Sequence, residues 1–423
     1  MQSSTIETDI LVVGGGVSGI AAAVEAADCG YNVVLIEKEP FLGGMAIRMH
    51  RYFPKLCPPI CGFELNFRRI KSNARIRFFT LATLNSISGI DGDLTASVRL
   101  QPRMVNDNCT ACGDCAGVCP VEKPDEFNYG WGTRRAIYLP HVQAYPQTYI
   151  VDGQSCPGTE CAKCISACRY GAIDLQMGER SLQIKCSSAI MATGWQPYDA
   201  ARLTALGYGR FPNVITNMMM ERLAAVAVSK GRRITRPSDD REISSIAFVQ
   251  CAGSRDVNHL PYCSGVCCMA SLKQASYVKD SNPETNIYIF YIDIRTTGMQ
   301  EEFFQRIAAI DNTSLVRGKV SKISEDPATG DLIIEAEDTS LGKMVRQRVD
   351  MAVLATGIAP MGTGPSIGNA AEDGHGFAVR DAPGIFAAGC AKRPMDVSSS
   401  IRDATGTVLK SMQSARRRQS RGG

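Results

Sequence analysis

Two tryptophans and four histidines are thinly spread over 423 residues. His50, His141, His259 and His375 are too scattered to suggest a histidine-centred triad or metal site, and each reads as a core or surface residue. His50, with Arg51, is the best of them for a flavin-side role. A surplus of one charge is also missing, since Lys and Arg total 46 against 42 Asp and Glu. That balance, with no basic stripe carrying aromatics, excludes a nucleic-acid partner. The one basic run, Arg416, Arg417, Arg418 and Arg421, reads as a solvated tail. No apolar run reaches the roughly 18 residues a membrane-spanning helix needs. The best stretch, 10–27, is broken by four glycines, Ser18 and Glu25. Residues 1–9 are polar and lack the positive lead of a secretion signal. The expectation is a cytoplasmic chain, peripheral to a membrane only through a partner.

What is abundant is cysteine, 17 residues, and glycine, 39 residues. Without a secretion signal, so many cysteines point to metal ligands and not to a disulfide framework. At about 150 residues per domain, the length predicts two to three domains.

Ile10 to Val13 forms a strand-like run that ends in Gly14-Gly15-Gly16-Val17-Ser18-Gly19, and an Ala-rich helix-like stretch follows to Ala27. This fits G-x-G-x-x-G between strand and helix. Gly14 permits the tight turn, Gly16 lets backbone approach a pyrophosphate, and Gly19 lets helix and strand pack closely. The helix N-terminus favours phosphate charge, with Ser18 in its first turn. Glu37, 23 residues after Gly14 at the end of the next strand, can accept from ribose hydroxyls and disfavours a 2′-phosphate. The segment Glu37-Lys38 to Gly43-Gly44 resembles that of two-dinucleotide-binding-domain flavoproteins, which carry FAD at this site. Ala192-Thr193-Gly194 and Gly384 to Gly389 match two later marks of that superfamily. Where it usually has Gly-Asp, this chain has Gly389-Cys390, which puts a sulfur near the expected flavin.

Cys109-x2-Cys112-x2-Cys115-x3-Cys119-Pro120 is a ferredoxin-type run for a [4Fe–4S] cluster, and Cys156-x4-Cys161-x2-Cys164-x3-Cys168 is a second, with a longer first gap. The usual crossing gives one cluster Cys109, Cys112, Cys115 and Cys168, and the other Cys156, Cys161, Cys164 and Cys119. Of the remaining cysteines, Cys29 and Cys186 read as buried packing. Cys57 and Cys61 sit in a Pro-rich loop within 41–75. Cys263, Cys267 and Cys268 precede a helix whose N-terminus would lower their pKa. For these and Cys251 the spacing leaves buried thiols, a redox pair and an extra cluster site all open.

A second βαβ-like unit begins at Phe248, yet only Gly253 and Gly265 lie near the place of a nicotinamide fingerprint, and neither is in register. Asp293, after the next strand, then reads as structural. The expected fold is α/β: a two-dinucleotide-binding-domain flavoprotein of the thioredoxin/glutathione-reductase type with an inserted bacterial-ferredoxin-like 2[4Fe–4S] domain. Its parts are 1–105, the first part of the FAD-binding Rossmann domain; 106–178, the insert; 179–240, FAD-domain continuation and linker; 241–345, a second Rossmann-like domain; and 346–423, the return to the FAD domain with a C-terminal helix.

The segments Gln250 to Asp256, Tyr262 to Met269, Phe290 to Arg295 and Gly389-Cys390, beside these motifs, resemble the A-type heterodisulfide reductase family. Tyr52 to Pro59 is most similar to the branch found in quinone-interacting membrane-bound oxidoreductase complexes. That resemblance implies FAD, two [4Fe–4S] clusters and electron transfer between menaquinol and adenylylsulfate reductase. It implies as partners a second A-like flavoprotein and a membrane quinone/haem protein. A related branch serves a sulfur-oxidising heterodisulfide-reductase-like system. A self-sufficient disulfide reductase would instead use Cys57 and Cys61. Catalytic candidates are Cys390, Cys57 and Cys61.

Overall fold

The computed structural model describes residues 3–362 and 371–421. The side chains of Arg417, Arg418 and Arg421 in the basic tail lie outside the described residues. The chain divides into two compact units, residues 1–195 with 360–393 and 397–423, and residues 196–359 with 394–396.

The first unit is built on β1 (Ser3–Val13), α1 (Val17–Asp28), β2 (Val33–Ile36), α2 (Ile60–Ser72), β3 (Ile76–Phe79), β4 (Ala82–Ile90) and β5 (Asp93–Leu100). Its sheet runs β3, β2, β1, the long strand Arg180–Met191, β5 and β4, and Ile385–Ala387 adds a seventh strand beside Arg180–Met191. The long strand has two partners on one edge. Arg180–Cys186 pairs antiparallel with β5, and Ala189–Met191 pairs parallel with Ile385–Ala387. Side chains alternate across β1: Ile10 and Val12 join the core beneath α1, and Leu11 and Val13 the core on the other face. Burying each such residue is worth roughly 1.5–3 kcal/mol. Helix Val397–Arg421 packs Ala404, Val408 and Ala415 into the α1 core.

Of the Pro-rich stretch within 41–75 read above as loop, Cys57 does lie in the loop, and Cys61 lies in α2. Its Pro58-Pro59 lead is compatible with a helix start, and Phe63, Phe67 and Ile70 are buried at helical spacing. Cys29 is also not core packing: it is exposed just after α1.

The cysteine-dense insert leaves and re-enters between two neighbouring antiparallel strands, so its ends are held together by the sheet. Its halves open alike. Short helices Asp114–Gly117 and Lys163–Ala167 each follow a left-handed residue, Gly113 (φ 94°) and Ala162 (φ 47°). The insert is fixed to the rest of its unit by Leu42 N–H donating to Tyr145 O (2.8 Å) and by stacking of Tyr145 on Phe67. Arg103 donates to Thr80 Oγ1 (2.7 Å) and Thr148 O (3.2 Å).

The second unit has a parallel sheet in the order Val214–Thr216, Met351–Thr356, Ser245–Ala252, Asn286–Tyr291 and Thr313–Arg317. Helices Asn217–Ser229 and Cys267–Ser281 belong to it, and so does a meander of three antiparallel strands between 320 and 349. It is longer than the expected 241–345. Val214–Thr216 pairs in register with Ala352–Leu354, so both ends of the segment are drawn into this sheet.

Candidate functional site

In the first unit the C-terminal ends of β1, β2 and Arg180–Met191 make a crest, with Val13 in register with both Ile36 and Met191. Gly14 has φ +107°, and a Cβ there would lie 2.2 Å from Ala192 O. A Cβ on Gly19 would lie 1.7 Å from Gly14 O, so α1 rests on the turn below it. Gly16 and Gly44 meet backbone to backbone: a Cβ on Gly44 would come within 2.9 Å of Gly16 Cα. Gly43 N–H donates to Gly15 O (2.8 Å). No side chain caps α1 at Gly16, which leaves first-turn N–H groups for a phosphate. Two glycine-bearing segments, 14–19 and 43–44, thus build a cradle that a Cβ would fill, and its donors fit the pyrophosphate of FAD.

Glu37 is buried at the end of β2. It accepts from Gly15 N–H (2.6 Å) and Glu39 N–H (2.8 Å). Burial pushes its carboxyl above the ordinary value, against the pull of both N–H groups. Gly15, not nominated from the sequence, is thus the residue that ties turn to carboxylate. Lys38 is exposed.

Gly389, at φ +62°, lies against α1, where a Cβ would sit 2.0 Å from Ser18 Oγ. Ser18 Oγ itself donates to Ser400 O (3.3 Å), toward the C-terminal helix. Asp403 of that helix accepts from Gly389 N–H (2.8 Å) and pairs with Lys392 (2.9 Å). Cys390 is buried, 3.8 Å from Ser400 Oγ. Asp403 is a carboxylate the sequence reading missed, supplied from 13 residues beyond the departed Gly-Asp position. Thr193 Oγ1 donates to Gly362 O (2.9 Å), and Gly194 has φ +76°.

In the insert, one cavity is lined by Cys119, Cys156, Cys161 and Cys164 among Pro120, Ile137, Val151 and Leu175. These are the four cysteines of one crossed set, within apolar walls that suit a cubane. Three members of the other set, Cys109, Cys112 and Cys115, lie near one another. All three lie near enough to Tyr149 to raise its pKa, after burial, and a Cβ on Gly113 would sit 3.4 Å from the Tyr149 Oη. Asn106 N–H donates to Ala172 O (2.8 Å), bringing the chain just after Cys168 alongside the chain just before Cys109. Burial pushes Cys115 up to about 12. Among the described residues no three Cys, His, Asp or Glu side chains converge at metal-ligating distances. The case for iron rests on spacing and on this lining.

The second unit has no phosphate cradle in the corresponding place. Fourteen residues, Gly253 to Val266, separate strand from helix. Asp293 pairs with Arg255 and stands 3.7 Å from Arg295. What does gather here is sulfur. Cys251, Cys263, Cys267 and Cys268 lie near enough for their charges to interact. For Cys267 and Cys268 the expected lowering of thiol pKa is reversed. Burial, then neighbouring cysteines, push Cys267 up, and burial raises Cys251 to about 11. Desolvation outweighs the helix N-terminus because Cys267 and Cys268 are buried in that first turn. Gly265 N–H donates to Cys263 Sγ (3.3 Å), repeating the Gly158 to Cys156 turn of the ferredoxin motif (3.4 Å). Cys57 and Cys61 lie near enough to each other and to Tyr52 to act on one another's ionisation.

Comparison with known proteins agrees with this geometry. Residues 9–76 match the FAD dependent oxidoreductase family. The fold is that of thioredoxin reductases. That of T. acidophilum aligns with a TM-score of 0.53 at 14% identity, covering 97% of each chain. That of Lactococcus lactis aligns at 0.54 and 12%, covering 96% of this chain and 99% of the other. Cradle and fold together define a two-dinucleotide-domain flavin oxidoreductase. The chain is 35% identical over 419 residues to the A-type iron-sulfur subunit of CoB–CoM heterodisulfide reductase from Methanocaldococcus jannaschii, covering 95% of this chain and 64% of that protein. It is 36% identical over 417 residues to the second of the A-type iron-sulfur subunits of Methanopyrus kandleri, covering 94% and 63%. Over nearly its whole length the chain is similar to A-type heterodisulfide reductase subunits, and it spans less than two thirds of the length of these relatives.

Proposed function

We propose that this chain is an electron-transfer subunit that carries FAD and two [4Fe–4S] clusters within a larger oxidoreductase complex. Gly14, Gly16, Gly19, Gly43 and Gly44 hold the pyrophosphate, and Glu37 the ribose. Ser18, Lys38, Ala192, Thr193, Gly194, Gly389 and Cys390 complete the FAD site. Bound FAD supplies a couple that takes one or two electrons, and each cubane passes one, so the chain joins a two-electron donor to one-electron carriers. The crossed ligand sets are those given above. Cys251, Cys263, Cys267 and Cys268 would make a third cluster site, in the second unit, beyond the two in the insert. The observation that carries this reading is a glycine cradle at one crest and sulfur, not glycine, at the other. With no nicotinamide cradle in the second unit, the residues present would hold the flavin's electron partners as clusters and not as a nicotinamide.

In this reading the complex works between a membrane quinone pool, reached through a quinone/haem protein, and a cytoplasmic sulfur-metabolism enzyme such as adenylylsulfate reductase. A second A-like flavoprotein completes it, and the chain sits peripherally on the inner membrane. Among the described residues no helix is long and apolar enough to cross a membrane, so a partner would supply the span. Anaerobic co-purification from the native host tests the proposal. A membrane haem protein with a second flavoprotein is expected. Lipoate-binding partners with heterodisulfide-like B- and C-type proteins would place it in the sulfur-oxidising branch instead. A preparation lacking flavin absorbance would overturn the reading.

A further inference from the structure

We propose that Cys57 and Cys61 form a thiol–disulfide exchange site for small, accessible disulfides, independent of the flavin and cluster sites. Cys61 N–H donates to Pro58 O (3.1 Å), closing a turn that brings the two thiols near enough to act on each other. Cys57 is half-buried and Cys61 exposed in the first turn of α2. Tyr52 N–H donates to Cys57 O (3.1 Å), which anchors that end of the loop. The Tyr52 phenol lies over Gly62, where a Cβ would meet its Oη at 2.4 Å, so the ring is packed beside both sulfurs. Between the cysteines, Pro58 and Pro59 fix φ at two of the three intervening residues. Little backbone freedom is left to lose when a ring closes. Outside the ferredoxin motifs the other exposed thiol among the described residues is Cys29, at the far end of α1. It is the internal control.

The exposed member meets the substrate. Cys61 sulfur attacks one sulfur of the incoming disulfide, that S–S bond breaks, and one thiol leaves. Cys57 sulfur then attacks Cys61 sulfur, the mixed disulfide breaks, and the second thiol leaves. Two electrons pass from the dithiol to the substrate. The two thiol protons end on the released thiols, and a Cys57–Cys61 disulfide remains. Partial desolvation and the Cys57 contact raise the Cys61 pKa, so exchange accelerates as pH rises above neutral.

The test is to expose anaerobic holoprotein to glutathione disulfide and map the thiols by mass spectrometry, with iron and flavin assayed on the same samples. Expected are release of both glutathione thiols and a peptide cross-linked through Cys57 and Cys61. Cys57→Ser should stall with glutathione held on Cys61 as a stable mixed disulfide, with no second glutathione thiol released. Separate adducts on both cysteines without a cross-link, as on the lone Cys29, would overturn the proposal. The cross-link in unmutated protein reads out even where the variant folds poorly. Loss of flavin or iron alone would count against the cofactor reading and leave this one standing.

Discussion

The two crests share a strand–turn–helix plan and differ in what fills the turn. At the first, three residues join β1 to α1, and all three are glycine. At the second, fourteen residues intervene, and sulfur stands at the strand end, in the loop and at the helix start. A helix N-terminus with bare backbone receives a phosphate. The same helix end, buried and lined with thiols, excludes one. Topology alone therefore does not assign a ligand, and the few residues at the turn do.

The comparison breaks first at Gly19. Gly19→Ala puts a Cβ 1.7 Å from Gly14 O. That backbone cannot yield without lifting α1 off the turn, so flavin affinity should fall more than about a hundredfold, at a cost above roughly 3 kcal/mol. Flavin content of the purified variant, read by absorbance, checks it. A variant that purifies with full flavin would show that the cradle lies elsewhere. Next comes Cys267→Ser at the second crest. If those thiols hold a cubane, iron should fall by about four atoms per chain while flavin stays bound. Unchanged iron would reduce them to buried packing.

Much of the first crest was legible from sequence because backbone constraint leaves glycines at fixed spacing, and the ferredoxin runs because one cube fixes its ligands. The second crest was not legible. Cys251, Cys263, Cys267 and Cys268 converge only after a strand, a loop and a helix fold together, and burial reverses the thiol pKa that the helix end alone implies. Asp403 escaped notice for a similar reason, since it reaches Gly389 from the next helix. Helix α2 was hidden by the two prolines before it, and Val214–Thr216 by its distance in sequence from its sheet partner.

A smaller effect belongs to Glu37. It holds Gly15 and Glu39 through charge-assisted bonds, typically worth about 1.5–3 kcal/mol each. Glu37→Gln keeps the shape, loses the charge, and should weaken flavin binding roughly tenfold by equilibrium titration. Because burial raises this pKa, the carboxylate is lost at a higher pH than for an ordinary glutamate near 4.3. Flavin retention should therefore decline as pH falls through that raised value. The Gln variant should show no such step, and a step that persists in it would assign the titration to another group.

The smallest effect is expected at Gly265, two residues before the second helix. A Cβ there meets no atom within 4 Å, in contrast to Gly19, so the cost of Gly265→Ala is one of backbone conformation only. Gly265 holds φ +70°, which alanine adopts at about 1 kcal/mol, partly offset by the lower entropy of the unfolded alanine chain. The N–H to Cys263 Sγ is kept, since alanine retains the donor. Thermal unfolding should shift by only a few degrees, with flavin and iron contents unchanged. A loss of flavin as severe as that at Gly19 would mean that the second crest approaches a dinucleotide after all, and the contrast between bare backbone and sulfur would no longer separate the two units.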